Sequence, residues 1–369
     1  MTPDAPHTTI SLAALNHNVQ VLRSRLRPET AILAPVKANA YGHGAVGTAR
    51  HLETCGVSWF GVATAAEALE LRAGGVTGRI LVFIPVYNGL EALIAQDVTL
   101  SVVDARSAEA VRRAAEQVGQ RARVHLKVDT GMGRLGGGPK ETLATAELLE
   151  KMPEVDLEGL WTHFACADEP DRTYTEGQLA QFQEAVSALA HAGIQPPLKH
   201  TANSPATLAY PESHFDMVRP GIALYGYSSS PHSAGFAPDL TPVMTLSAPV
   251  TFVKRVCKGQ SLSYGGLWAA QADTTIATVR FGYADGYPRV LSTTPAAQVN
   301  LCGQLRPIVG RVCMDQFMVD VGDLDVQVGD RVTVFGPNGP TAEALGEAAG
   351  TISYELLVRL GTRIDRAYI

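Results

Sequence analysis

Between residues 31 and 225 one pattern recurs eight times: a short apolar run, a polar turn, and in most cases a stretch with helical spacing. The apolar runs fall at Ala31–Lys37, Trp59–Ala63, Arg79–Val86, Leu100–Asp104, Arg123–Asp129, Leu157–Phe164, Pro197–His200 and Asp216–Tyr225. Helical spacing marks Thr64–Ala73, Ser107–Val118, Lys140–Lys151 and Glu176–His191. Eight strand–helix units in so short a span predict an α/β fold, a (β/α)8 TIM-type barrel. A doubly wound open sheet is the alternative. It would usually carry a glycine-rich G-x-G-x-x-G turn after its first strand, and none is present there.

A barrel predicts where chemistry belongs, just beyond the carboxyl ends of the strands. Lys37 follows the first run, and Asp129-Thr130-Gly131-Met132-Gly133-Arg134 follows the fifth. His163 closes the sixth, His200-Thr201-Ala202-Asn203-Ser204 follows the seventh, and Arg219-Pro220-Gly221-Ile222 falls in the eighth. A lysine at the end of a buried strand sits where burial lowers an amine's pKa. That is what an amine needs to form a Schiff base with an aldehyde cofactor. Tyr41, Ser204, Gly221 and Ile222 offer hydroxyl and backbone N–H donors for an anion on the same rim.

Beyond about Ser230 the texture changes. The stretch S-S-S-P-H-S-A-G-F-A-P-D reads as a linker, and short alternating runs separated by Gly and Pro come after it. We therefore expect two domains: a barrel over 1–230 and a smaller, mainly-β domain over 231–369. The opening T-T-I-S-L is a candidate to pair with that second domain. A helix is expected from Thr351 to Leu360, with Thr351 as N-cap and Glu355 in its first turn.

Composition narrows the functional classes. The chain of 369 residues is 46% apolar and 18% charged, enough for a large core. Its net charge of −6, with no basic block, argues against nucleic acid as a partner. No apolar run is long enough to span a bilayer, and the N-terminus lacks a signal-peptide pattern. The 5 cysteines are odd in number and lack a C-x-x-C pair, so neither a disulfide framework nor a metal site is expected. A reducing cytoplasm is the compartment these features fit.

The run V-K-A-N-A-Y-G-H-G resembles the pyridoxal-phosphate (PLP) lysine motif of alanine racemases. H-T-A-N-S and M-V-R-P-G-I-A-L-Y-G resemble that family's phosphate-site motifs, and S-L-S-Y-G-G-L-W its second-base segment. The resemblance runs from about Ile10 to Tyr368. Two departures are the L-G-G-G after Arg134, where relatives often carry a bulkier residue, and a first strand without the usual tryptophan.

The resemblance implies a two-base racemase that interconverts L- and D-alanine and supplies D-alanine for peptidoglycan. PLP would be its cofactor, with Lys37 and Tyr264 as the bases on opposite faces of a planar intermediate. It implies cofactor contacts from Lys37, Tyr41, His163, Asn203, Ser204, Arg219, Gly221, Ile222 and Tyr354. It places Arg219 against the pyridine nitrogen, where an arginine keeps its proton and leaves the ring a weaker electron sink. Tyr264, with an ordinary pKa of about 10, then needs a cationic neighbourhood, which a His163–Arg219 chain would supply. Arg134 and the backbone N–H of Met314 would meet the substrate carboxylate, and His200 would orient Arg219. Tyr283, Cys313 and Asp315 would line the approach. Lys127 is expected to be carbamylated and to hold Arg134. Because Tyr264 lies in the second domain, the resemblance also implies a homodimer with shared sites.

Other readings stay open on the sequence alone. A broader-specificity or serine racemase on the same fold is the first, since pocket width depends on loops. A decarboxylase of this architecture usually carries acidic pocket residues, and the C-M-D-Q and S-Y-G-G pieces argue against it. A PLP-binding protein without turnover is essentially the barrel alone. Asp129-Thr130-Gly131 also spells the aspartic-protease triplet, but no second copy exists to share a proton.

Overall fold

The computed structural model describes residues 5–236 and 238–369. Two compact units divide the chain. One comprises Asn16–Ala40 and Gly44–Leu240; the other comprises Thr241–Ile369, Tyr41–His43 and the opening residues up to Leu15.

The first unit is a parallel barrel. Its strands are β1 (Ala31–Pro35), β2 (Trp59–Val62), β3 (Arg79–Val82), β4 (Val98–Val102), β5 (Ala122–Lys127), β6 (Val155–Trp161), β7 (Leu198–His200) and β8 (Met217–Val218). Each pairs with the next from β1 to β7, and β8 pairs with β1 through Ala31↔Met217 and Ile32↔Val218. Between β7 and β8 the ring is joined by two backbone bonds, Asp216 N–H to Lys199 O at 3.1 Å and Arg219 N–H to Ala202 O at 2.8 Å. Leu33, Trp59, Leu81 and Met217 fill the interior, each side chain contributing roughly 1.5–3 kcal/mol by leaving water.

All eight expected strands are present, but most stop early. The third ends at Val82, three residues before Pro85, which has no N–H to donate to a ladder. The eighth keeps only Met217–Val218, because Pro220 and Gly221 turn the chain into a 3₁₀ segment, Ile222–Tyr225. Asp104 leaves the fourth to cap Ala105–Val118, its carboxylate accepting from Ser107 N–H at 2.7 Å. The helices Ala65–Ala73, Pro139–Leu149 and Thr173–His191 also stand where the spacing put them.

In the second unit the long strand Met244–Val256 pairs with both Arg331–Phe335 and Thr274–Val279. Through Phe317–Gly322, Gln304–Val309 and Gln298–Leu301 the same sheet returns to Arg331–Phe335, so six strands close on themselves. Val256, Leu262, Ala270, Ile276 and Val309 form one cluster of its core. The opening strand His7–Ile10 does pair here, antiparallel to Met244–Val256 and parallel to Asp365–Tyr368. The last helix is shorter than expected, Ser353–Val358. Ile352, not Thr351, occupies the N-cap, and the Thr351 hydroxyl instead donates to the Glu355 carboxylate. Within the segment read as a linker, Pro231–Ala234 forms a short helix capped by Ser230; Ala237 lies outside the described residues.

Candidate active site

β1 delivers Lys37 to the rim, and the next four residues have an unusual backbone. Ala38, Asn39 and Ala40 adopt left-handed helical angles near φ +51 to +55, and Tyr41 has φ 52. Such a residue costs about 1–2 kcal/mol each when it carries a Cβ. The turn therefore needs ties. Ala40 N–H bonds Val36 O at 2.8 Å, Gly44 N–H bonds Asn39 O at 2.9 Å, and Asn39 Oδ1 accepts from Ala45 N–H at 2.8 Å. Glu67 Oε1 accepts from Ala38 N–H at 2.6 Å. Gly42, just beyond, has φ 84, and a Cβ there would lie 2.1 Å from Leu357 O. Burial lowers the Lys37 pKa; the Arg134 charge lowers it further and Glu67 opposes both.

Arg219 is buried, at 4% exposure, and fixed from several sides. Its Nη1 donates to His200 Nδ1 at 2.8 Å; its Nη2 donates to Thr162 O at 2.6 Å and Thr201 O at 2.9 Å, and lies 3.3 Å from His163 Nδ1. An arginine only donates, so His200 Nδ1 accepts and its Nε2 carries the proton toward His125 Nδ1, 2.8 Å away. His125 Nε2 in turn faces Glu158 Oε2 at 3.4 Å, and Arg79 Nη2 bonds the same carboxylate at 2.7 Å. Desolvation, then the charge of Arg219, holds His163 and His200 well below the usual imidazole range, so both are neutral at pH 7. Burial lowers Arg219 itself to about 9, still protonated at neutral pH. The cation of the expected His163–Arg219 chain is thus Arg219 alone.

β5 carries Lys127 into the same interior. Its Nζ is buried with no hydrogen-bond partner and sits 4.6 Å from the centre of the Trp161 ring. Burial first, then Arg219 and Arg134, brings its pKa down to about 7 against the pull of Asp129. Asp129 is occupied with backbone: its Oδ1 accepts from Gly131 and Gly133 N–H, both at 3.0 Å. The D-T-G triplet here clamps its own loop through Asp129.

The segments expected to cradle an anion are tied to one another. Asn203 caps Ser204–Ala209 through Ala206 N–H at 3.3 Å, and Ser204 Oγ accepts from Ala223 N–H at 3.2 Å. That bond draws Gly221 and Ile222 up to Ser204. Tyr225 Oη donates to Pro35 O at 2.9 Å and ties the cradle to β1.

The unit fits PLP on its own charges. Lys37, Lys127, Arg134 and Arg219 all act on His163, while the carboxylates that act on these lysines are Glu67 and Asp129. Positive charge in excess of its counterions favours a guest bearing a phosphate and a carboxylate. A depressed lysine amine beside it suits an aldehyde.

The second unit gathers the remaining predicted residues. Tyr264 lies between Ser263 at φ 64 and Gly265 at φ 76, and Ser263 Oγ donates to Arg311 O at 2.7 Å. Tyr283 N–H bonds Cys313 O at 3.1 Å and Ala284 N–H bonds Met314 O at 2.9 Å. Asp315 pairs with Arg363 at 2.8 Å, which also holds buried Asp285 at 2.9 Å. The result is a face with Tyr264, Tyr283 and Met314 exposed at 68%, 41% and 53%. Tyr354 packs its ring 5.9 Å from that of Tyr41, whose hydroxyl pKa is raised by burial.

Sequence reasoning missed Asn39, Glu67, His125, Glu158 and Trp161. Signals existed for two. Thr64 and Glu67 have capping-box spacing, and His125 stands two residues from Lys127 on a strand, hence on the same face.

A parallel barrel with a pKa-lowered lysine, a buried arginine and an anion cradle at its rim defines a barrel enzyme that takes an anionic carbonyl cofactor. Residues 10–229 match the family model "Alanine racemase, N-terminal domain", and residues 243–368 match "Alanine racemase, C-terminal domain". The alanine racemase of Streptomyces coelicolor is 44% identical, covering 98% of this chain and 95% of its own length. That of Desulfovibrio desulfuricans is 41% identical over 98% and 97%. The crystal structure of alanine racemase from D-cycloserine-producing Streptomyces lavendulae superposes with TM-score 0.95 at 41% identity, covering 100% and 98%. The chain belongs to the alanine racemase family.

Proposed function

We propose that the protein is a PLP-dependent alanine racemase that interconverts L- and D-alanine and supplies the D-enantiomer for peptidoglycan. The observation that carries this reading is Lys37, its pKa lowered, just past the end of β1 and near Arg134. PLP, when bound, supplies an aldehyde for the amino group and a conjugated ring that acidifies the α-proton.

The chain's own residues do the rest. Lys37 would hold the cofactor, and its free amine would move a proton at the α-carbon from one face. Arg219, kept in place by His200 and two carbonyls, would face the ring nitrogen as a donor, and a fixed proton there would limit side reactions such as transamination. Ser204, Gly221 and Ile222 would take the phosphate, Asn203 would shape that cradle, and His163 would lie beside the ring. Arg134 and the Met314 N–H take the substrate carboxylate. Tyr264 moves the proton on the opposite face.

Tyr264, Tyr283 and Met314 are exposed in the single chain. We assign them, with Cys313 and Asp315, to the barrel mouth of a partner subunit, which makes the enzyme a homodimer with shared sites. Lys127 is carbamylated in this reading: its neutral amine adds CO2 and releases a proton, and the resulting anion pairs with Arg134. The buried, unpartnered Nζ with a pKa of about 7 supports it. Five free cysteines suit a reducing, cytoplasmic compartment.

Borohydride reduction of the PLP-loaded protein, with peptide mass spectrometry of the product, tests the reading. The label is expected on Lys37; a label on another lysine contradicts it. Sedimentation tests the dimer, with a monomer at working concentration as the contrary result.

A further inference from the structure

We propose that Glu67 is the positioning residue of Lys37: its carboxylate holds the left-handed turn that aims the lysine and is the lysine's negative neighbour. This rests on Lys37 being the lysine that takes PLP.

Glu67 is the third residue of helix Ala65–Ala73, where Thr64 is the N-cap. In an ordinary capping box the acidic side chain reaches back to the N-cap amide and stops there. Here it does more. Oε2 accepts from Thr64 N–H at 3.1 Å and from Ala63 N–H at 2.8 Å. Oε1 crosses to the neighbouring strand end and accepts from Ala38 N–H at 2.6 Å, the shortest of the three. Ala38 is the residue after Lys37 and the first of the left-handed run. One carboxylate therefore locks the ends of β1 and β2 together at the point where the lysine leaves the barrel wall.

Backbone bonds from Ala40 N–H and Gly44 N–H hold the run in part. Ala38 and Ala40 have no side-chain group to stabilise a left-handed backbone, as Asn39 has. Asn39 ties the far end through Ala45 N–H; Glu67 ties the near end. Its charge also opposes the burial and the Arg134 repulsion that lower Lys37, so it sets how far that lowering goes. Both effects need a carboxylate. A glutamine can offer its single oxygen to Ala38 or to the Ala63–Thr64 pair, and its amide N–H₂ then faces the other donor.

The test compares Glu67→Gln with Thr64→Ala in the full-length protein. Thr64→Ala removes the hydroxyl that accepts from Glu67 N–H at 3.3 Å, a capping bond without contact to Ala38. Two readouts are taken: the rate of borohydride-trapped PLP capture on Lys37, and hydrogen exchange of the Ala38 amide without PLP. Capture is expected to slow about tenfold or more in Glu67→Gln, the loss of a charge-assisted bond, and less than about twofold in Thr64→Ala. In the unaltered protein the Ala38 amide is expected to exchange at least about tenfold slower than a free amide. That second measurement needs no variant and decides the matter if Glu67→Gln does not fold. Equal capture rates in the two variants, or an Ala38 amide exchanging at the free rate, would overturn the proposal. Capture on another lysine in the unaltered protein would overturn the reading of Lys37, and this proposal with it.

Discussion

Arg219 Nη1 donates to His200 Nδ1 at 2.8 Å, deep in the barrel and away from any carboxylate of its own. Only burial acts to shift its pKa, and it stays protonated at neutral pH. In the proposed site the group facing the cofactor's ring nitrogen would thus be a donor that keeps its proton. Replacing it by a carboxylate, Arg219→Glu, is expected to raise the ratio of transamination to racemisation about tenfold or more. The two products are counted in one assay by chromatography of the cofactor and chiral analysis of the amino acid. An unchanged ratio would remove the electronic role of Arg219.

Tyr264→Phe is expected to slow proton abstraction from L-alanine about a hundredfold or more, and from D-alanine far less. Separate α-deuterium exchange on the two enantiomers checks this. Equal losses on both sides would contradict the assignment of Tyr264 to one face.

The proposed carbamylation of Lys127 would tie the site to pH and to CO2. Its pKa near 7 leaves the reactive neutral amine dominant above neutrality and scarce below. Carbamate occupancy should therefore fall as pH drops through about 7. Carbon-13 NMR with labelled bicarbonate reads it directly, with Lys127→Ala as the blank. For the unmodified lysine the native pKa lies below the unfolded one, so its cost to stability is full below about pH 7 and shrinks as pH rises toward the ordinary lysine range. Lys127→Met should therefore raise the melting temperature most at pH 6. An equal gain at pH 6 and pH 10 would contradict this.

Gly282 admits no side chain. A Cβ there would lie 2.2 Å from Met314 O and 2.5 Å from Cys313 O. Gly282→Ala is expected to cost about 1–3 kcal/mol of stability and to raise the KM for alanine, because the loop bearing Met314 must move. Denaturant unfolding and steady-state kinetics measure the two effects. Stability lost with KM unchanged would detach Met314 from substrate binding.

The barrel was legible because burial on both faces of a parallel strand leaves a continuous apolar run, and eight such runs have few other uses. Strand ends were not, because they are decided by neighbours. Val82 ends its strand near Pro85, and Asp104 leaves its strand for a helix cap. The places of Lys37, His200 and Arg219, at or just past strand ends, were readable from the order of runs and turns. The left-handed turn at Ala38–Tyr41 was not, since two alanines there break the usual preference and the ties come from Glu67 and Ala45. The Arg219–His200–His125–Glu158 chain joins four separate strands or strand ends, a juxtaposition that only the closed barrel creates.

Racemisation of alanine is read without an intermediary by α-deuterium exchange. The purified, PLP-loaded protein would be incubated in heavy water with L-alanine, D-alanine, L-serine and D-serine separately. Exchange and inversion of alanine are expected from both enantiomers, with serine far slower, and none by Lys37→Ala. PLP bound on Lys37 without exchange at the α-carbon of alanine would contradict the assignment of this protein as an alanine racemase.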